Sequence, residues 1–217
     1  MKKFAIVLSG CGVQDGAEIH ESVMAMLAVD MAGATYQLFA PNINQTRVVN
    51  HLTGHPTNET RNVLVESARI ARGNIKPLNE YNPSEFDAIL FTGGFGAALN
   101  LSTFATEGAN MSVNPDVGKA VKATHSAGKA IGAMCIAPVV IAKILGKVDV
   151  TIGNDSGVAA AISEFGSKHT NTHKGEVVED VENKVFTTPC YMLDSSIKDI
   201  FEGATNLVQQ ILKSLGK

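Results

Sequence analysis

Short, wholly apolar runs alternate along this chain with segments of helical periodicity, and that alternation limits the folds open to it. Phe4-Ala-Ile-Val-Leu8, Ala88-Ile-Leu-Phe91 and residues 129–134 lack the polar alternation of a half-solvated strand, so they read as strands buried on both faces. Residues 35–40 are strand-like and stop at Pro41. Residues 148–152 form a further short strand, and 177–185 read as a hairpin around Glu182-Asn183. Apolar spacing predicts helices over 18–33, 58–72, 115–127, 138–145, 157–165 and 195–215. In the first of these, Ile19, Val23, Met26 and Leu27 mark the apolar face, and Glu21 falls roughly opposite it. Strands alternating with helices imply an α/β fold: one three-layer domain over 1–217, its mostly parallel sheet covered by helices on both faces. Residues 48–76 are longer than a plain crossover needs and read as an insertion near the site, a lid or an oligomer contact.

Composition narrows the function classes. Of 217 residues, 45 % are hydrophobic and 18 % charged, which is ordinary for a globular chain and excludes disorder and coiled coil. Lys and Arg number 18 against 21 Asp and Glu, so no basic excess exists to displace counterions from a nucleic acid. No apolar run approaches the roughly 18 residues of a membrane helix. The five apolar residues after Lys2-Lys3 are too few for a signal core of about 7–15, although Ser9-Gly10-Cys11 imitates a lipoprotein cleavage box. Cys11, Cys135 and Cys190 are scattered and odd in number, which fits a reducing compartment, and the expected location is cytoplasmic.

The sharpest chemical signal is Ala130-Ile-Gly-Ala-Met-Cys135-Ile-Ala-Pro138. A strand runs straight into a cysteine and a helix starts at once, with Pro138 suited to its first turn. Ala133 and Ala137 are the small neighbours that a tight nucleophile elbow requires. A thiol at a helix N-terminus faces partial positive charge and free N–H groups, so its pKa is expected to fall and thiolate to be populated near neutral pH. The other reading is a buried structural cysteine. Leu90-Phe-Thr-Gly93-Gly94-Phe-Gly96 ends a strand in a glycine pair. Its N–H groups, with that of Ile136, are candidates to hold an oxyanion formed by attack of Cys135, unless the loop is a plain βα turn. It completes neither a phosphate loop nor a dinucleotide fingerprint. Ser9-Gly-Cys11-Gly-Val-Gln-Asp15-Gly-Ala-Glu18-Ile-His20-Glu21 opens a helix at the carboxyl edge, where open α/β sheets bind ligands. There Glu21 is either a solvated acid in a first helical turn or a site residue. Cys11 and His20 read as turn and surface residues, and no zinc-like spacing calls for a metal.

These stretches together resemble the PfpI/ThiJ superfamily, which is class I glutamine amidotransferase-like and flavodoxin-like in fold. Within it the chain is similar to the ElbB group, formerly linked to isoprenoid biosynthesis and described as glyoxalase-like. LSGCGVQDGAEIHE, NHLTGHPTNETRNVL, TGGFGAALNLS, MCIAP and TTPCYML carry the resemblance, which covers essentially the whole chain. It implies Cys135 as the elbow nucleophile, Glu21 as the acid that hydrogen-bonds its thiol, and Gly94 and Ile136, beside Gly93, as the oxyanion-holding positions. It also implies a homodimer. The chain departs from relatives that hydrolyse amides: Ile136 stands where they carry a histidine, and the late His-x-Glu pair is missing. No Cys-His-acid triad can be assigned, and His20, next to Glu21, is the best of the possible helpers His20, His51, His125, His169 and His173. Arg61 and Asn62 are weaker candidates for reaching the site.

The resemblance therefore implies a glutathione-independent glyoxalase, a lyase of the glyoxalase III type that needs no cofactor. Its substrate would be a small dicarbonyl, glyoxal or methylglyoxal, converted to the 2-hydroxy acid through a Cys135 hemithioacetal, with deglycation of protein amines as a related activity. A non-catalytic redox sensor or regulator, with Cys135 oxidised reversibly, and an amidotransferase-like subunit without a complete triad are the alternatives.

Overall fold

A computed structural model describes residues 1–216. Its main sheet has seven strands: β1 (Lys3–Val7), β2 (Thr35–Ala40), β5 (Ile75–Pro77), β6 (Ala88–Phe91), β7 (Ala130–Met134), β10 (Val178–Asp180) and β11 (Val185–Thr188). They lie in the order β10-β11-β7-β6-β1-β2-β5, and every pair is parallel except the β10–β11 hairpin at one edge. Two small ribbons stand apart, β3 (Val48–Asn50) with β4 (His55–Thr57) and β8 (Asp149–Val150) with β9 (Lys168–His169). The helices are α1 (Ile19–Met31), α2 (Val63–Ile70), α3 (Phe95–Leu99), α4 (Phe104–Glu107), α5 (Pro115–Ser126), α6 (Pro138–Leu145), α7 (Ser156–Glu164) and α8 (Ile197–Ser214).

Both faces of the sheet are covered, as the unbroken apolar strands require. One core joins Ile89, Phe91 and Ile131 of the strands to Val117 and Val121 of α5 and Val139 to Ala142 of α6. The opposite core joins Phe4, Ile6 and Leu90 to Ala25, Ala28 and Val29 of α1 and Leu207, Val208 and Ile211 of α8. This is the flavodoxin-like architecture with helices on both sides. Among the described residues no helix is long and apolar enough to cross a membrane.

The structure changes one expectation and adds detail to two. The buried face of α1 is Glu21, Ser22, Ala25, Ala28 and Val29, while Ile19, Val23 and Leu27 are about two-fifths exposed. The small residues face inward because α1 packs closely against α8 and the sheet, where bulkier side chains would not fit. Residues 148–152 do not join the main sheet, since β8 pairs with β9 instead. Residues 48–76, expected as an insertion near the site, form the β3–β4 ribbon and α2 and run into the edge strand β5. The segment is tied down where the Val49 N–H donates to Asp15 Oδ2 at 2.7 Å. Arg61 there pairs with Glu59 and Glu66, and Asn62 caps α2 by accepting from the Val65 N–H, so neither reaches the site.

Candidate active site

The chain moves outward from β1 to β2 and β5, then crosses to β6 on the other side of β1. The carboxyl ends of β1 and β6 therefore mark the point where the strand order reverses, where open α/β sheets place their ligands. The turns after β1, β6, β7 and β11 all end there and supply Glu21, Gly93-Gly94, Cys135 and Cys190-Tyr191.

Cys135 follows β7 with φ +59°, a left-handed conformation costly for a residue with a Cβ. The turn is held by the Cys135 N–H donating to Thr188 O at 2.9 Å, and Pro138 starts α6 just beyond. Ala133 and Ala137 are fully buried, so their small size is what lets the turn close. The sulfur receives the backbone N–H groups of Gly94 and Ile136. The residue is nevertheless 7 % exposed. Burial, and then the charge of Glu21, push its thiol well above the usual cysteine range, against the expected lowering. Removal from water outweighs the short α6 dipole here.

Glu21 is fully buried in the first turn of α1. Its Oε2 accepts from the Gly93 N–H at 3.0 Å and its Oε1 from the Tyr191 N–H at 3.3 Å. Burial, followed by the neighbouring Glu18, raises its pKa to about 8 despite these N–H donors, so it holds its proton at neutral pH. Glu18 also caps α1, its Oε2 accepting from the Glu21 N–H at 2.6 Å.

Gly93 explains how acid and thiol come together. A Cβ there would lie 2.4 Å from Cys135 Cβ, 2.6 Å from Glu21 Oε2 and 2.9 Å from Cys135 Sγ. The missing side chain is the space the pair occupies. Gly94 has φ +89°, and a Cβ on it would lie 2.4 Å from both Glu18 N and Gly16 O.

All five expected site positions, Glu21, Gly93, Gly94, Cys135 and Ile136, thus meet at one point. His20 does not join them. It is half exposed, and its Nδ1 meets the Tyr191 hydroxyl at 2.9 Å. His51 engages Gln14 N–H and Val49 O, His125 meets Asn183, and His169 accepts from the Ile152 N–H. Among the described residues no imidazole hydrogen-bonds Cys135 or Glu21, and none forms a cluster with other metal-ligating groups.

Two contributors escape sequence reasoning. Tyr191 supplies an N–H to Glu21, and Cys190, buried with φ +43°, brings a second neutral thiol close to Cys135. The signal was a strand, Val185-Phe-Thr-Thr188, running into Pro189-Cys190 much as β7 runs into Cys135. A cavity of about 320 Å³ opens onto Cys135, Ile136 and Gly94, with Glu18 and Tyr191 also in its wall.

No protein-family model matches the chain. The human protein named glutamine amidotransferase-like class 1 domain-containing protein 3, mitochondrial, is 44 % identical over 99 % of this chain and 84 % of its own. The crystal structure of an Ehrlichia chaffeensis isoprenoid biosynthesis protein with an amidotransferase-like domain superposes with a TM-score of 0.93 at 36 % identity, covering 99 % of this chain and all of that one. Candida albicans glyoxalase III shares the fold, with a TM-score of 0.63 at 14 % identity over 98 % and 97 % of the two chains. The expected cytoplasmic location is overturned: the human, rat and zebrafish relatives, 44 %, 43 % and 33 % identical, are all named mitochondrial. The few apolar residues after Lys2-Lys3 argued only against a secretory signal, and mitochondrial targeting is read from different features. A buried acid and thiol at the switch point, with relatives matched over 99 % of this chain, establish that the chain belongs to the ES1 and class I glutamine amidotransferase-like family.

Proposed function

We propose that the protein is a glutathione-independent glyoxalase-like enzyme that turns an α-oxo aldehyde into the 2-hydroxy acid. One observation carries this reading: Glu21, protonated at neutral pH, is fixed by the Gly93 and Tyr191 N–H groups against a thiol whose sulfur faces two further N–H groups. A pKa of about 8 suits a group that must both take and return a proton. In its carboxylate form Glu21 accepts the thiol proton as Cys135 sulfur bonds to the aldehyde carbon, then passes it to the new alkoxide. The Gly94 and Ile136 N–H groups stabilise that oxygen while it is charged. Glu21 next removes the hydrogen from the sulfur-bearing carbon while the adjacent carbonyl oxygen gains a proton, giving an enediol; a proton then returns to the adjacent carbon as the first hydroxyl loses its own, leaving a thioester. Water cleaves it, so one dicarbonyl and one water become one 2-hydroxy acid and the free thiol.

Amide hydrolysis, suggested by the amidotransferase-like names of the relatives, fits less well. An amine leaving group needs a proton donor such as histidine, and among the described residues no imidazole hydrogen-bonds Cys135 or Glu21, His20 meeting the Tyr191 hydroxyl instead. Loss of glyoxal or methylglyoxal, followed with wild type and Cys135→Ala, tests the proposal. Consumption by wild type and none by the variant is expected; equal rates, or none in either, reject it.

A further inference from the structure

The cavity beside Cys135 is chemically lopsided. Val13, Phe95, Phe104, Ile136, Val158 and Met192 make most of its wall, and they come from separate parts of the chain. Phe104, Ile136, Val158 and Met192 also pack against the buried core, so that wall is fixed rather than collapsible. The polar side chains of its lining are those of Cys135, Glu18 and Tyr191. Among the described residues the lining includes neither Lys nor Arg. At roughly 30 Å³ of liquid volume per water-sized group, glyoxal and methylglyoxal would fill less than half of about 320 Å³. The rest would be water against hydrocarbon, which favours displacement by an apolar group.

We propose that the substrate is a neutral α-oxo aldehyde carrying an apolar aryl or branched-alkyl tail, with the tail seated among Phe95, Phe104, Val158 and Met192 and the carbonyls at Cys135. The proposal rests on the reading of Cys135 as nucleophile and narrows it to a substrate class. A carboxylate or phosphate on the tail is disfavoured by two features of the cavity: its lining holds no Lys or Arg, the Arg47 guanidinium standing over the Phe95 ring, and Glu18 is in the wall. Each buried methylene is worth about a four-fold gain in affinity, so a phenyl group gives at least roughly a ten-fold gain.

The test compares kcat/KM for glyoxal, methylglyoxal, phenylglyoxal and 4-carboxyphenylglyoxal, using wild type and Val158→Asn. Phenylglyoxal is expected to exceed glyoxal by about ten-fold or more, and the added carboxylate to abolish most of that gain. The phenylglyoxal-to-glyoxal ratio should fall at least about five-fold in Val158→Asn, which puts an amide in the apolar wall. Acetophenone, which keeps the tail but cannot be turned over, should protect Cys135 from alkylation in wild type. Glyoxal turned over as well as phenylglyoxal overturns the tail pocket and leaves the glyoxalase reading standing. No dicarbonyl turnover, with acetophenone still protecting Cys135, rejects the glyoxalase reading and retains the apolar ligand class. Absence of both overturns both.

Discussion

Replacing Glu21 by glutamine should change how stability depends on pH. The carboxyl has a pKa of about 8 in the folded protein against about 4.5 in the unfolded chain. Between those values the native state binds the extra proton, so stability must fall as pH rises and level off once pH passes the folded value. Integrating that difference from about pH 5 to about pH 9 gives a loss of roughly 4 kcal/mol, most of it complete near pH 8. Glutamine has no such proton to lose. Its amide nitrogen cannot accept a hydrogen bond, so one of the N–H groups of Gly93 and Tyr191 loses its acceptor, at a cost of about 1–3 kcal/mol at every pH. Glu21→Gln should therefore be less stable than wild type at about pH 5 and equal or more stable at about pH 9, a crossing readable by urea denaturation across the range. The thiols cancel in this comparison if they stay protonated through the window, as their burial dictates. Parallel stability curves for the two proteins would refute a buried, elevated Glu21, and with it the assignment of the proton carrier.

Other perturbations give distinct readouts. Alkylation of Cys135 should be slow at neutral pH and accelerate only well into the alkaline range; in Glu21→Gln the rise should begin at lower pH, since a charge that opposes the thiolate is gone. Gly93→Ala places a methyl group between Cys135 and Glu21, so turnover should fall at least about a hundred-fold, with a stability loss of about 1–3 kcal/mol from overpacking. Asn100→Ala removes a buried amide that donates to Ser9 O and Asp15 O and accepts from the Thr46 N–H. Thermal unfolding should show a loss of about 2–3 kcal/mol and a looser 9–18 turn. Ser196→Ala breaks the capping box of α8 and should cost about 0.5–2 kcal/mol while leaving the site intact.

Much of the fold was legible because its rules are local. Residues 35–40, 88–91 and 138–145 were read with the bounds they have, since buried strands and a proline-started helix announce themselves in sequence. The α1 face was misread for an instructive reason. Ile19, Val23 and Leu27 have the hydrophobicity of a core stripe, but the close α1–α8 contact selects for small volume instead. That one inversion also carries Glu21 inward, so the apolar-face rule and the bland reading of Glu21 as a solvated acid failed together. The elbow was visible in Ala133, Cys135 and Ala137, yet its electrostatics were not. The dipole argument needs only sequence, whereas the burial that outweighs it depends on chain segments far from residue 135. Tyr191 was hidden because it acts through its backbone N–H, which any residue type supplies.

The four turns that meet at the sulfur come from widely separated parts of the chain, and the last of them in sequence, at Tyr191, follows Cys135 only after α6, α7 and the β10–β11 hairpin. A nascent chain that has already emerged through β7 carries Cys135 without the roof that β11 and its turn provide. Until that turn packs in place, the thiol stands open to electrophiles that the folded site keeps out.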